Sequence, residues 1–110
     1  MIARIWNGWT NNANADRYEE LLRTRVLPDI AAQNIPGYRG ADLLRRVEAE
    51  QDDEVGFVTV LWFDSLEQVE AFTGDDYAVA HVPPEARELL LRYDARSQHY
   101  DHVRGPEADQ

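Results

Sequence analysis

The stretch that most constrains the fold of this chain is the run from Val55 to Phe63, Val-Gly-Phe-Val-Thr-Val-Leu-Trp-Phe. It is rich in β-branched and aromatic residues and too short to cross a bilayer, so it predicts a β-strand. Alternate side chains form its two faces, Phe57, Thr59, Leu61 and Phe63 on one and Val58, Val60 and Trp62 on the other. Both faces are apolar apart from Thr59, whereas a strand with one wet face alternates apolar and polar residues. This strand therefore needs cover on both sides.

The length and residue usage of the chain narrow the choice of architecture and partners. A chain of 110 residues makes one domain with its own core, which we expect over residues 1–104, with 105–110 as a disordered tail. It contains no cysteine, which excludes thiolate catalysis and Cys-based metal centres and is typical of a cytoplasmic protein. We see no signal peptide and no transmembrane segment.

The charge balance argues against two classes of partner. The chain has 11 basic and 21 acidic residues, which gives a formal net charge of −10. A surface of that sign repels a phosphate backbone and an anionic bilayer. We therefore expect neither nucleic acid nor a membrane as a partner.

Apolar periodicity predicts the remaining elements. Ala15, Tyr18, Leu22 and Val26 draw the stripe of an amphipathic helix, and Pro28 predicts a kink or restart in it. The predicted elements, in chain order, are a strand over 2–9, a helix over 15–33, strands over 38–47 and 55–63, helices over 65–72 and 84–92, and a strand over 97–103.

This order of elements predicts one antiparallel sheet with its helices on one face, in the ferredoxin-like βαββαβ arrangement. The first and third strands should occupy the centre, because they are the most apolar. The face without helices would then be a bare apolar patch, and a second copy of the chain is the simplest cover for it. We therefore expect a homodimer.

Four motifs resemble the antibiotic biosynthesis monooxygenase-like (ABM) domains of the dimeric α/β barrel superfamily. They are the run 60–68 followed by Phe72, the opening Ile-Ala-Arg-Ile-Trp strand, Ile35-Pro36-Gly37-Tyr38, and the last strand around 97–100. The resemblance covers about residues 2–103 and implies a dimer whose sheets form a barrel. It also implies a pocket in each subunit between the sheet and the helices.

The resemblance implies different chemistry according to the branch of the family. Members that oxidise aromatic polyketides with molecular oxygen, without metal or flavin, place an asparagine four residues before the strand tryptophan, where this chain has Val58. Haem-degrading members use an asparagine in the first strand, a helix tryptophan and an iron-binding histidine ten residues later. Asn7 and His81 match two of these positions, but Ala71 stands in place of the tryptophan.

Two residues are the candidates for catalysis. Asn7 lies among apolar neighbours on its predicted strand, where an amide without hydrogen-bond partners costs roughly 1–3 kcal/mol. It either orients a substrate or is a satisfied buried asparagine. His81 either transfers protons or binds iron, or it closes the turn before Pro83.

Aromatic side chains are the candidates for substrate binding: Trp9, Trp62, Phe72 and Tyr77. The alternative for the tryptophans is core or dimer interface. No metal site is expected, because His99 and His102 are three apart on a strand and point to opposite faces.

These observations lead to three hypotheses of function. The first is a cofactor-independent monooxygenase-like enzyme acting on a planar, apolar, aromatic or polyketide-type small molecule. The second is a haem-binding or haem-degrading monooxygenase that uses Asn7 and His81. The third is a non-catalytic dimer that binds a small molecule.

Overall fold

The computed structural model describes residues 1–48, 53–74, 78 and 82–105. Its strands are β1 Ile2–Asn11, β2 Tyr38–Arg45, β3 Glu54–Phe63, β4 Leu90–Tyr93 and β5 Gln98–Asp101. Its helices are α1 Ala15–Leu21, α2 Leu27–Ala32, α3 Leu66–Thr73 and α4 Pro84–Leu89, with a 3₁₀ turn Asn12–Asn14 before α1 and a π-helical turn Leu22–Val26 between α1 and α2. The predicted tail from residue 106 onwards, and Tyr77 and His81, lie outside the described residues.

The strands form one antiparallel sheet in the order β2-β3-β1-β4, and β5 pairs with β1 along the same edge as β4. β4 pairs with the end of β1 around Trp9, and β5 pairs with its beginning from Ile2 to Ile5. The prediction that the first and third strands take the centre is confirmed. The domain is α+β, and its order of strands and helices is compatible with a ferredoxin-like fold.

Helices cover one face of the sheet and bury two clusters of apolar side chains there. One cluster contains Ala15, Tyr18, Leu22, Val55, Phe57 and Ala86, and the other contains Ile2, Leu61, Phe63 and Val69. In the central strand pair Phe57 stands opposite Gly8, and Phe63 stands opposite Ile2. The covered face of the sheet therefore carries the phenylalanine set of β3 and the even-numbered residues of β1.

The other face of the sheet, here called the outer face, carries the alternate residues of the same strands. Its central members are Ala3, Ile5, Asn7 and Trp9 of β1 and Val58, Val60 and Trp62 of β3. None of these seven belongs to the clusters under the helices. The described helices leave this face uncovered, although Ala3 and Val60 are buried and the other five residues are partly buried within one chain.

Pro28 changes the helix that contains it. The chain passes from α1 through the π-helical turn before α2 begins at Leu27, with Pro28 in the first turn of α2. A proline at that position lacks the N–H that would bond the carbonyl of Thr24, and its ring would strike that carbonyl in a regular α-helix. The wider π-helical turn relieves this clash, so the helix restarts as expected.

The prediction that the last helix runs to about Arg92 is wrong. The helix ends at Leu89, Leu90 adopts extended backbone angles of φ −87° and ψ 137°, and β4 follows. The residues over 90–93 pair with the edge of β1. Exposed backbone groups at that edge need partners, and satisfying them outweighs the helical preference of a local Leu-rich stretch.

Candidate functional site

A partly open cavity, with about 90 Å³ accessible to the centre of a water molecule, lies between the covered face of the sheet and the helices. Its lining consists of Arg4, Trp6, Tyr18, Leu22, Val26, Leu27, Ile30, Thr59, Leu61, Phe72, Val82, Pro83, Ala86 and Ser97. Most of these side chains are aliphatic or aromatic. Among the described lining residues, Arg4 carries the one formal charge.

Two layers of structure build this cavity. The helical stripe predicted from Tyr18, Leu22 and Val26 continues past the π-helical turn and forms one wall. The sheet forms the opposite wall, where Arg4 stands opposite Leu61 across the central strand pair and Trp6 stands opposite Thr59. Both pairs lie in the middle of the sheet, so this wall is rigid.

Arg4 is the buried cation of the site. Its side chain stands on the central strand, the residue is 5 % exposed, and its Nη1 donates to Nε2 of His99 at 3.0 Å. Burial lowers the pKa of Arg4, but a guanidinium keeps its proton in proteins. Because Arg4 can only donate, Nε2 of His99 accepts, and the proton of the neutral imidazole sits on Nδ1.

The protonation state of His99 follows from its surroundings. Burial lowers the pKa of His99, and the positive charge of Arg4 lowers it further. The imidazole is therefore neutral at neutral pH. It orients Arg4 without cancelling its charge.

Aromatic side chains define the shape of the cavity. Trp6 is held in place because its Nε1 donates to the backbone oxygen of Asp94 at 2.6 Å, and its ring lies 5.7 Å from that of Tyr93. Tyr18 is 1 % exposed and packs edge-on against Phe57 with ring centroids 4.8 Å apart. Burial raises the pKa of Tyr18, so its phenol stays protonated at physiological pH.

Of the residues predicted to form the site, Phe72 lines the cavity. Asn7 and Trp9 do not, because they lie on the outer face, where they line a separate and partly open pocket with Leu44 and Val58. Nδ2 of Asn7 donates to Oδ2 of Asp94 at 3.0 Å, so its amide is tied to the segment between β4 and β5. The structure thus separates Asn7 from the cavity by the thickness of the sheet.

The two predicted tryptophans both lie on the outer face. The guanidinium of Arg92 sits 3.8 Å from the centre of the Trp9 ring. Nε1 of Trp62 donates to Oδ2 of Asp42 at 2.9 Å, and the ring lies edge-on to His102 at 5.3 Å. Both side chains lie on the face that the described helices leave uncovered. Their roles in substrate binding stay predictions.

Sequence reasoning missed Arg4 as a wall residue of the cavity, and it did not select Trp6 among the candidates for substrate binding. An arginine in an alternating pattern normally marks a solvent-facing side, so the pattern of β1 favoured the set that contains Asn7 and Trp9. Gly8 was one signal that the helices cover the other face of β1, because Gly8 shares that face with Arg4 and Trp6. A Cβ at Gly8 would lie 3.0 Å from Leu90 and 3.2 Å from Trp6, which indicates the close packing of a covered face.

Among the described residues, no group of three or more histidine, cysteine, aspartate or glutamate side chains is placed to hold a metal ion. In the same part of the chain, every helix is too short or too polar to cross a bilayer. Neither a scan against protein-family models nor a search of curated proteins finds a match for this chain.

Proposed function

We propose that this protein binds a planar, largely apolar small molecule in the cavity between the sheet and the helices. The observation that carries this proposal is the cavity itself, whose walls are mostly aliphatic and aromatic. Arg4 is the charged residue among the described residues that line it. Concave apolar sites with a few placed polar groups are the usual form of small-molecule sites. Trp6 and Phe72 supply flat surfaces against which an aromatic skeleton can pack.

The reaction that we propose for this site is oxygenation of the bound molecule by molecular oxygen without a protein-bound cofactor. A phenol fits this chemistry, because its ring supplies the electrons itself. One oxygen atom of O₂ enters the ring, which is oxidised to a quinone, and the other leaves as water with two hydrogens from the substrate. The apolar walls would exclude bulk water from the reduced oxygen intermediates.

A second candidate function is non-catalytic binding of the same class of molecule. It is favoured by the position of Asn7, whose amide is bonded to Asp94 on the outer face instead of facing the cavity. In that arrangement Asn7 ties β1 to the segment between β4 and β5 and has no access to a ligand in the cavity. The two candidates share a binding site and differ in whether oxygen is consumed.

Binding is tested by titrating the protein with 2-naphthamide, a neutral planar probe, in a calorimeter. We expect saturable 1:1 binding. It should be lost in Val82→Trp, because Val82 lines the cavity and the larger side chain would fill it. Ala13→Trp, a change of similar size at an exposed position of the 3₁₀ turn, should bind as the parent does. Equal affinity in all three proteins would place the probe outside the cavity and contradict the proposal.

Oxygen uptake separates the two candidate functions. Dihydroxynaphthalenes serve as substrates, with a chelator present. If the protein is an oxygenase, we expect one O₂ to be consumed per substrate molecule and this uptake to be lost in Val82→Trp. Binding without uptake above the uncatalysed rate favours the non-catalytic candidate.

The haem alternative depends on His81, which lies outside the described residues, and it stays a prediction. A titration with haemin tests it. A Soret shift that disappears in His81→Ala would support haem binding, and a shift that survives this change would exclude His81 as the iron ligand.

We further propose that two copies of the chain pack through their outer faces. The support is the apolar character of that face, where Ile5 and Val58 are only partly covered in one chain, while Val60 opposite Ile5 is 7 % exposed. An apolar face without helix cover is a typical site of self-association. Light scattering should give a mass twice that of one chain at micromolar concentration.

A pair of charge insertions tests which face is used. Ile5→Arg places a cation in the middle of the outer face and should give a monomer, because an unpaired buried charge is costly. Leu66→Arg places the same charge on α3, on the helix side, where Leu66 is 39 % exposed, and should leave the mass unchanged. A monomeric parent protein would refute the dimer.

A further inference from the structure

We infer that the hydroxyl of Tyr18 selects the ligand of the cavity by donating a hydrogen bond to an oxygen atom on the ligand's planar skeleton. This inference rests on the proposed binding function and adds the polar group that the ligand must carry. That group is a neutral acceptor, such as the carbonyl oxygen of an aryl ketone. Tyr18, on α1, is then a specificity-determining residue of the site.

The hydroxyl of Tyr18 is a buried polar group without a partner among the described residues. Tyr18 is 1 % exposed, and its oxygen takes part in no hydrogen bond with them. Burial alone accounts for the raised pKa of Tyr18, with no contribution from a hydrogen bond or a nearby charge. Buried hydroxyls are nearly always hydrogen-bonded, so this one calls for a partner that the described residues do not supply.

The cavity is the space that this hydroxyl can reach. Tyr18 lines the cavity, and its ring is fixed by edge-on packing against Phe57, with 4.8 Å between the ring centroids. Among the described side chains, Oγ1 of Thr10 is the oxygen that is both sealed in the protein and without a partner. The oxygen of Tyr18 also lacks a partner but is not sealed, and the cavity that Tyr18 lines is where a partner can approach it.

Two other hydroxyls line the cavity, those of Thr59 and Ser97. Their side chains are short, so each can turn and bond to a backbone group nearby. The hydroxyl of Tyr18 stands at the end of a rigid ring, away from its own backbone, and has no such alternative. A ligand with an acceptor therefore gains most from bonding to Tyr18.

The phenol of Tyr18 serves as a donor. Because burial raises its pKa, it keeps its proton at physiological pH. Its oxygen is a weak acceptor, since a lone pair is shared with the ring, whereas its O–H is a strong donor. A carbonyl oxygen fits this donor and brings no charge into the largely apolar cavity. Trp6 and Phe72 supply flat walls for the ring that carries the carbonyl.

Acetophenone and α-methylstyrene test this inference, because they have nearly the same planar shape and the second replaces the carbonyl oxygen by a CH₂ group. Tyr18→Phe removes the hydroxyl and keeps the ring. We expect it to weaken acetophenone binding about three- to tenfold, the usual contribution of one neutral hydrogen bond. The affinity for α-methylstyrene should change by less than about twofold. NMR titrations that follow the indole N–H of Trp6, a residue of the cavity wall, give the dissociation constants.

Two control variants locate the effect. Tyr100→Phe removes the hydroxyl of a tyrosine on β5 that is 54 % exposed, and it should leave both affinities as in the parent. Ser97→Ala removes another hydroxyl of the cavity and should leave the ratio of the two affinities unchanged. A ratio that changes in Ser97→Ala and not in Tyr18→Phe would assign the acceptor to Ser97 and overturn the inference.

The stability of Tyr18→Phe is a separate check on the unpartnered hydroxyl. Since no hydrogen bond within the protein is lost, Tyr18→Phe should unfold at a urea concentration no lower than the parent does. A lower midpoint would mean that the hydroxyl is bonded within the protein, and it would overturn the inference.

The carbonyl band of bound acetophenone measures the hydrogen bond directly. In isotope-edited infrared spectra the band should lie at lower wavenumber in the parent than in Tyr18→Phe, because donation to the oxygen weakens the C=O bond. A band that is the same in both proteins, or an equal loss of affinity for both probes, would overturn the inference and leave the proposed binding site intact. Failure of both probes to bind the parent would instead reject the proposed function, and the inference with it.

Discussion

Gly37 lies in a turn before β2, and a methyl group there should be costly for two separate reasons. Gly37 has φ +81°, a backbone conformation that residues with a Cβ rarely adopt. A Cβ built on it would lie 2.2 Å from Cγ of Gln68 on α3 and 3.0 Å from Cβ of Gln68. The turn is also fixed from the other side, because the N–H of Asp64 donates to the carbonyl of Gly37 at 2.9 Å.

The expected cost of Gly37→Ala is the sum of these two effects. A left-handed conformation costs an alanine about 1–2 kcal/mol. Forcing the chain of Gln68 aside adds about 1–3 kcal/mol, the usual range for overpacking. We therefore expect Gly37→Ala to lower the free energy of unfolding by about 2–4 kcal/mol, since the substitution also reduces the entropy of the unfolded chain.

A double-mutant cycle separates the clash from the strain. Gln68→Ala removes Cγ and Cδ but keeps Cβ, which would lie 3.0 Å from the new Cβ. Gly37→Ala in that background should therefore cost less than in the parent, about 1–3 kcal/mol, for the conformation and the remaining close contact. Urea denaturation of the four proteins, followed by tryptophan fluorescence, gives the four free energies. Gly40→Ala is the matched control, because Gly40 also has positive φ, at +130°, but has no atom within 4 Å of its missing Cβ.

The result that would refute this reasoning is a cost of Gly37→Ala that is the same in both backgrounds. That outcome would mean that Gln68 is not the neighbour for which the glycine makes room. A cost of Gly40→Ala that depends on Gln68 would equally contradict the assignment of the clash. In either case the contact between the turn before β2 and α3 would be wrong as described.

Three further predictions concern buried groups. Thr10 is fully buried, and its Oγ1 has no hydrogen-bond partner among the described residues. Thr10→Val should therefore raise the free energy of unfolding by about 1 kcal/mol. A loss of stability would instead reveal a hydrogen-bond partner of Oγ1. Because burial and the charge of Arg4 lower the pKa of His99, the unfolded chain binds more protons there than the folded one. Stability from this group is present above pH 6.5 and is lost as the pH falls below that value, so the parent should lose more stability between pH 7.5 and 5.5 than His99→Gln does. Phe57→Ala should lower the free energy of unfolding, measured by urea denaturation, by about 3–5 kcal/mol, because the ring is 2 % exposed and packs on Tyr18. A decrease below about 1 kcal/mol would contradict this packing.

Local patterns were sufficient for most of the secondary structure. The stripe of Tyr18 and Leu22 produced the helix that it predicted, and Gly74, with φ +96°, ends α3 where its freedom of backbone angle is needed. These signals act within a few residues of one another, so the sequence alone reveals them. The prediction for residues 90–92 failed, because their strand depends on the distant edge of β1.

The cap at the start of α3 shows the limit of a local motif. Ser65 and Gln68 have the spacing of a capping box, and the helix begins beside them at Leu66. In the structure the hydroxyl of Ser65 donates to the side chain of Gln68, and no side-chain hydrogen bond caps the helix. The motif located the helix correctly, but its two side chains bond to each other instead of to the backbone at the start of the helix.

By itself, the sequence determined that β3 is a strand with two apolar faces and that β1 lies next to it at the centre of a sheet. Which face the helices cover was decided by the tertiary structure, because a period of two defines two sets of side chains and does not say which set points to which side. That choice placed Arg4 and Trp6 in the cavity and Asn7 on the outer face. The physical reason is that helix packing is a contact between segments far apart in the chain, and only the folded arrangement brings such segments together.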